Sequence, residues 1–291
     1  MHQKEFRPKA SEIKEQKIPY PAAQSAMNQQ PDSNLSNYNA AGKLKNKVAI
    51  ITGGDSGIGR AVAVVFAKEG ANIAILYNVN DDDAEETKRM IETYNQECLI
   101  IKADVRNKQE CFDAVNSTIQ MYGSVNILIN NAAYQQTQTK LEDISEEQLR
   151  RTFETNIYGY FFMAQAVLPH LSDGDSIINT GSIVGMTGLE ILVDYTATKG
   201  AIHSFTKSLA LQLGKKNIRV NCVVPGPVWT PNIPGTMPAE EVADFGHEVA
   251  LERPGQPEEI APAYVLLASS DGSFITGSLL EITGGRLAAS K

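Results

Sequence analysis

Cysteine is scarce: Cys98, Cys111 and Cys222 are the only three in 291 residues. Their number is odd, their spacing wide, and no CxxC pair occurs, which excludes a disulfide framework and a thiolate zinc site and fits a reducing compartment. Histidine is as sparse. His2, His170, His203 and His247 show neither HxxxH nor HExxH spacing, so no metal site is expected. Long apolar runs are missing: none approaches the ~18 to 20 residues that cross a bilayer. The opening stretch MHQKEFRPKASEIKEQK lacks the apolar core of a secretory signal, so the expected location is the cytoplasm. Excess positive charge is absent too; 26 basic against 34 acidic residues leave a net charge of −8. That balance argues against nucleic acid or an anionic membrane as partner, but leaves room for a small anion in a local pocket.

Apolar pattern is sparse only at the start. Residues 1–45 are rich in Gln, Asn, Lys and Glu and are broken by Pro8, Pro19, Pro21 and Pro31. They read either as a tail or as an arm packing on its own domain or on another subunit, with Ile18, Pro19, Tyr20 and Leu35 as anchors. Residues 46–291 are expected to fold without them as one catalytic domain. There, short apolar runs recur at Val48–Thr52, Ile73–Tyr77, Leu99–Ile101, Val125–Ile129, Ser176–Asn179, Ile218–Val224 and Leu279–Ile282. Amphipathic stretches separate them, among them 59–68, 84–95, 109–122, 147–171 and 196–213. Strands alternating with helices predict an α/β fold of the Rossmann type: a doubly wound, seven-stranded parallel sheet in three αβα layers.

The first strand leads directly into Thr52-Gly53-Gly54-Asp55-Ser56-Gly57-Ile58-Gly59 and a helix. Such a loop turns tightly, lets backbone approach a pyrophosphate, and offers it the helix N-terminus. The TGxxxGxG spacing resembles that of the short-chain dehydrogenase/reductase family. Asn130-Asn131-Ala132-Ala133 resembles its NNAG segment, with Ala133 in place of glycine. Asp104-Val105 and Pro225-Gly226 with Thr230 also fall at the family's intervals. The resemblance covers about residues 45–287. It implies an NAD(P) site built from Thr52, Gly53, Asp55, Ser56, Gly57, Ile58, Gly59, Tyr77, Asn78, Asp104, Val105, Asn131, Ala132, Ala133, Tyr195, Lys199, Pro225, Gly226, Val228 and Thr230, with no metal.

Tyr195 and Lys199 stand four apart, on one face of a predicted helix. An ammonium near a phenol favours phenolate and lowers its pKa from about 10, which suits an acid/base near neutrality. Ser182, after the fifth strand, is placed to hold a substrate oxygen. By resemblance, Asn156 supports a water relay to Lys199. The expected reaction is hydride transfer between NAD(P) and a small alcohol or carbonyl compound. The alternative is a non-catalytic dinucleotide sensor on the same fold, and the discriminating feature is that Ser182, Tyr195 and Lys199 are all present. By resemblance, Tyr134, Ile183, Gly185, Ile191 and residues 231–250, read as a mobile lid, surround the substrate. Trp229 reads as packing.

NAD is favoured over NADP. Ser56, rather than a base, precedes the middle glycine, and Asp55 with Asp81, Asp82 and Asp83 would repel a ribose phosphate. Against this stand Tyr77, where strict NAD enzymes carry Asp, and Arg60 just past the loop. The resemblance also implies a homotetramer formed through the helices of Asn156 and Tyr195 and the last strand.

Overall fold

The computed structural model describes residues 7–286; His2, with the rest of 1–6, and 287–291 lie outside the described residues. Seven strands, β1 (Val48–Thr52), β2 (Asn72–Tyr77), β3 (Cys98–Lys102), β4 (Ile127–Asn130), β5 (Ser176–Thr180), β6 (Arg219–Pro225) and β7 (Leu279–Ile282), form one sheet. All pairings are parallel, in the order β3-β2-β1-β4-β5-β6-β7. β1, β4, β5 and β6 are buried throughout, as a sheet covered on both faces demands. The order reverses between β1 and β4, and ligands in such sheets bind at that crevice, beyond the strands' carboxyl ends.

Alternate residues of each strand feed two cores. Ala49, Ile51, Ile73 and Ile75 pack with α1 (Gly57–Lys68), α2 (Asp81–Glu92) and α10 (Pro257–Ala268), through Phe66, Ile91 and Tyr264. Ile50, Leu76 and Leu128 face α3 (Lys108–Tyr122), α5 (Gly159–Val167) and α7 (Val193–Leu213), through Val115, Met163 and Leu209. Three short helices, α6 (Val184–Thr187), α8 (Asn232–Thr236) and α9 (Ala239–Val242), border the strand ends. The stretch 147–171 is not one uniform helix. α4 (Glu146–Phe153) passes through a π turn at Glu154–Tyr158 into α5, and a 3-10 turn at Leu168–His170 containing Pro169 ends the run. A π turn is a one-residue insertion in the helical ladder, invisible to a 3.6-residue period and frequent at functional sites. It carries Asn156.

Residues 7–45 lie against their own domain. Outside two 3-10 turns, Ala10–Glu12 and Gln24–Ala26, this arm has no regular structure and must satisfy its N–H groups elsewhere; buried acids and amides of the domain receive several of them. Asp83 accepts from Gln24 N (2.6 Å) and Ser25 N (3.3 Å). Gln256 Oε1 accepts from Asp32 N and a Glu258 carboxylate from Leu35 N. Glu69 accepts from the N–H groups of Ala41 and Lys43. Ile13, Ile18 and Met27 form an apolar cluster with Trp229, Met237 and Val242.

Candidate active site

The glycine loop closes the C-terminal end of β1. Gly53 and Gly57 adopt positive φ (63° and 52°), which side chains resist. A Cβ on Gly59 would lie 2.0 Å from the Gly53 carbonyl oxygen, so helix and loop meet only because that residue is glycine. Asn131 stitches the loop to β4: its Nδ2 donates to the carbonyls of Thr52 and Gly53, and its N–H donates to Thr52 Oγ1. Ala133 stays out of the left-handed region, so its methyl brings no strain.

A cleft of about 700 Å³ opens from this loop across the strand ends, the size of an ordinary small-molecule or cofactor site. Its walls carry Gly53, Asp55, Ser56, Gly57, Ile58, Tyr77, Asn78, Asp104, Val105, Asn131, Ala132, Ala133, Pro225, Gly226, Val228 and Thr230. Ser182, Tyr195 and Lys199 stand on the same walls. The cradle and the cleft therefore fit a dinucleotide. Two expected binders, Thr52 and Gly59, stand behind the wall instead. Thr52 Oγ1 is occupied by the N–H groups of Asn131 and Ala132, and Gly59 serves the close contact of helix and loop.

Tyr195 is the third residue of α7 and Lys199 follows one turn later. Lys199 Nζ lies 5.3 Å from the Tyr195 ring centroid and donates to the Thr180 carbonyl at 2.8 Å. Against the lowering expected of the Lys199 ammonium, the protein's own groups shift the phenol the other way. Burial pushes Tyr195 above its ordinary value, with a Ser182 hydrogen bond pulling the other way. Burial also draws the Lys199 ammonium down to about 8. Tyr195 therefore holds its proton at neutral pH.

Asn156 is fully buried beside the cleft rather than on it. Its carboxamide accepts from Tyr134 N and donates to the Tyr134 carbonyl and to Thr198 Oγ1, tying the π turn to the β4 loop and to α7. Ile183 and Ile191 line the cleft, but Tyr134 and Gly185 do not. Tyr134 turns its ring to Arg151 and bonds Gln136 Oε1, while Gly185 packs on the α7 backbone. Gln135 takes the wall position next to Tyr134. Trp229 is buried packing, its Nε1 donating to the Gln29 carbonyl.

The charges near the adenosine corner also differ from expectation. Asp83 is buried and paired with Arg60 (3.3 Å), and Asp81 pairs with Lys102 (2.8 Å). The acidic run is absent from the cleft wall, where Asn78, Val79 and Asn80 stand. Arg60 is also consumed: it binds the carbonyls of Asp55 and Asp83 and Thr87 Oγ1. Asp55 remains, its carboxyl pushed up to about 6 by burial. Tyr20, Pro21, Ala22 and Arg151 also line the cleft; no motif announces them, and Tyr20 was legible only as an arm anchor. Among the described residues there is no cluster suited to a metal and no helix long and apolar enough to cross a membrane.

Comparison with known proteins agrees with this geometry. The family described as enoyl-(acyl carrier protein) reductase matches residues 53–286. The chain is 53% identical to the uncharacterized oxidoreductase YhdF of Bacillus subtilis over 91% of its own length and 92% of that protein. It is 46% identical to glucose and ribitol dehydrogenase of Daucus carota, over 92% and 94%. A short-chain dehydrogenase from Burkholderia cenocepacia, solved in complex with NADP, superposes with a TM-score of 0.78 at 29% identity, over 85% of this chain and 100% of that one. The chain belongs to the short-chain dehydrogenase/reductase family and is an NAD(P)-linked oxidoreductase.

Proposed function

We propose that this oxidoreductase interconverts a small neutral alcohol and its carbonyl compound, with Tyr195 as the acid/base. The carrying observation is that Ser182, Tyr195 and Lys199 meet on the wall of the cleft that begins at the glycine loop. Sugars, polyols and simple aldehydes are the substrate class, supported by the likeness to a glucose and ribitol dehydrogenase.

The glycine loop would hold the pyrophosphate, and Pro225 to Thr230 the nicotinamide end, where the bound cofactor supplies or accepts the hydride. Ser182 hydrogen-bonds the substrate oxygen and orients it toward Tyr195. The Tyr195 hydroxyl gives that oxygen its proton in reduction and recovers it in oxidation. Lys199, near neutrality in its titration, refills the phenol and holds the cofactor ribose. Asn156 positions the relay by fixing the π turn against α7.

The reading of the cofactor is revised toward tolerance of both dinucleotides. With Asp81 and Asp83 paired and Asp81, Asp82 and Asp83 all off the cleft wall, Asp55 is left as the main source of repulsion toward a ribose phosphate. A cytoplasmic homotetramer completes the proposal, supported by Tyr158, Phe161, Val193 and Leu211, which leave apolar surface exposed around α5 and α7. The test is a panel of aldehydes, sugars and polyols with each dinucleotide, followed by reduced-nicotinamide absorbance. Turnover supports the reading; dinucleotide binding without turnover of any compound turns it toward the sensor.

A further inference from the structure

The arm crosses the cleft with both ends fixed on cleft-wall elements. On one side, Ile18 N donates to the Pro234 carbonyl (2.9 Å) and Lys17 Nζ to the Met237 carbonyl (2.8 Å), both beyond β6. On the other, Asn80 Nδ2 donates to the Ala22 carbonyl (3.1 Å) and Asp83 receives Gln24 N, both beyond β2. Residues 18–24 thus join the segment beyond β6 to the segment beyond β2.

Three residues of this span, Tyr20, Pro21 and Ala22, line the cleft. The Tyr20 ring stands edge-on to Tyr134 (5.3 Å) with the Arg151 guanidinium 5.1 Å away, a stacked arrangement that holds it in place. Gly235 of α8 has no room for a Cβ, because Ala22 would lie 2.6 Å from it. At the far end, Gln24 Oε1 accepts the Gly57 N–H at 2.8 Å, so the arm grips the glycine loop itself.

We propose that residues 17–24 form a strap that roofs the bound dinucleotide, contacts it through Tyr20 to Ala22, and limits its release. The proposal rests on the reading of the cleft as a dinucleotide site. The strap follows the course from the β2 end, where the adenosine ribose would lie, to the β6 side, where the nicotinamide would lie. Lifting it breaks the lid and loop anchors together, so cofactor exchange is slow. The segment 231–250, expected to be a mobile lid, is pinned by the same strap. Gln24 is a positioning residue, acting through the loop.

The test is cofactor release, measured by stopped-flow fluorescence after mixing enzyme loaded with NADH or NADPH with excess oxidised dinucleotide. Tyr20→Ala and Lys17→Ala should each speed release on the order of tenfold, since lost contacts act mainly on off-rates, while Lys14→Ala should change it less than about twofold. Gln24→Glu keeps the acceptor on Gly57 but adds charge beside the phosphate site. It should weaken dinucleotide binding, because the added negative charge stands beside the pyrophosphate position at the N-terminus of α1. Trypsin cleavage after Lys17 should slow when either dinucleotide is added. Unchanged release in Tyr20→Ala, Lys17→Ala and Gln24→Glu, with native melting, would overturn the strap and leave the dinucleotide reading intact. Failure of the wild-type chain to bind NADH or NADPH would overturn both.

Discussion

Asp83→Asn tests how the arm is held, because one buried carboxylate serves both the arm and the domain. Asp83 Oδ2 receives Gln24 N (2.6 Å), while Oδ1 receives Ser25 N and Arg60 Nη2, each at 3.3 Å. An asparagine has one oxygen. Turned to Gln24, it points its NH₂ at the Arg60 guanidinium; turned to Arg60, it sets donor against donor at Gln24 N. Breaking a buried ion pair costs ~3 to 5 kcal/mol when the surviving charge is orphaned. Arg60 is not orphaned here, since it keeps the carbonyls of Asp55 and Asp83 and Thr87 Oγ1. The expected cost is nearer that of one lost charge-assisted bond with an unsatisfied donor, ~2 to 3 kcal/mol. At ~2 to 4 °C per kcal/mol for a domain of this size, the melting midpoint should fall roughly 4 to 12 °C. Trypsin should also cut at Lys14 and Lys17 sooner than in wild type. A midpoint within about 1 °C of wild type, with unchanged cleavage, would show that Asp83 is no anchor.

Tyr195→Phe keeps the ring and should lower kcat by about 10² to 10⁴ with dinucleotide affinity nearly unchanged; activity above about a tenth of wild type would sink the acid/base role. Because burial raises the Tyr195 pKa and protects its proton, carbonyl reduction should hold steady across neutral pH while alcohol oxidation climbs as pH passes about 8, the value to which Lys199 is drawn. Oxidation rates that are flat over that range would refute the assignment. His203 is buried beside Lys199 and is drawn down to about 4 by burial, then by the charges of Lys199 and Lys207. The unfolded chain, with an ordinary histidine near 6.5, binds more protons between those values, so stability should fall as pH drops from about 6.5 to about 4. The loss is on the order of 3 kcal/mol; an equally steep fall in His203→Gln would assign it elsewhere.

The sheet was legible because its signals are local. The four central strands are short runs buried on both faces, and the seven observed strands differ from the expected ones by at most two residues at either end. β4 ends at Asn130 rather than Ile129, since backbone pairing to β5 continues through Asn130 and Asn179. The glycine loop and the Tyr195–Lys199 pair were legible for the same reason, as fixed spacings within one turn or loop. Asn156 was found by motif, but its π turn was not, because periodicity cannot register a single inserted residue.

What local pattern misstated was charge. Read along the chain, Asp81, Asp82 and Asp83 form an acidic block beside the adenosine corner. In the fold, Asp81 is matched by Lys102 from β3 and Asp83 by Arg60 and by arm residues 58 and 59 positions earlier. A carboxylate's field depends on its partners in space, and these come from three separate segments. The arm misleads in the opposite sense. Its composition is that of a tail because it brings few apolar side chains of its own, borrowing acceptors from Asp83, Glu69, Glu258 and Gln256 instead. Those acceptors lie beneath the arm, and cutting it away exposes them. Removing residues 1–40 uncovers Trp229, Met237 and Val242 and strips arm N–H partners from Asp83 and Glu258. Thermal melting and dinucleotide binding of a chain lacking residues 1–40 test the expectation that residues 46–291 fold unaided; loss of cooperative melting would show that the arm is part of the fold.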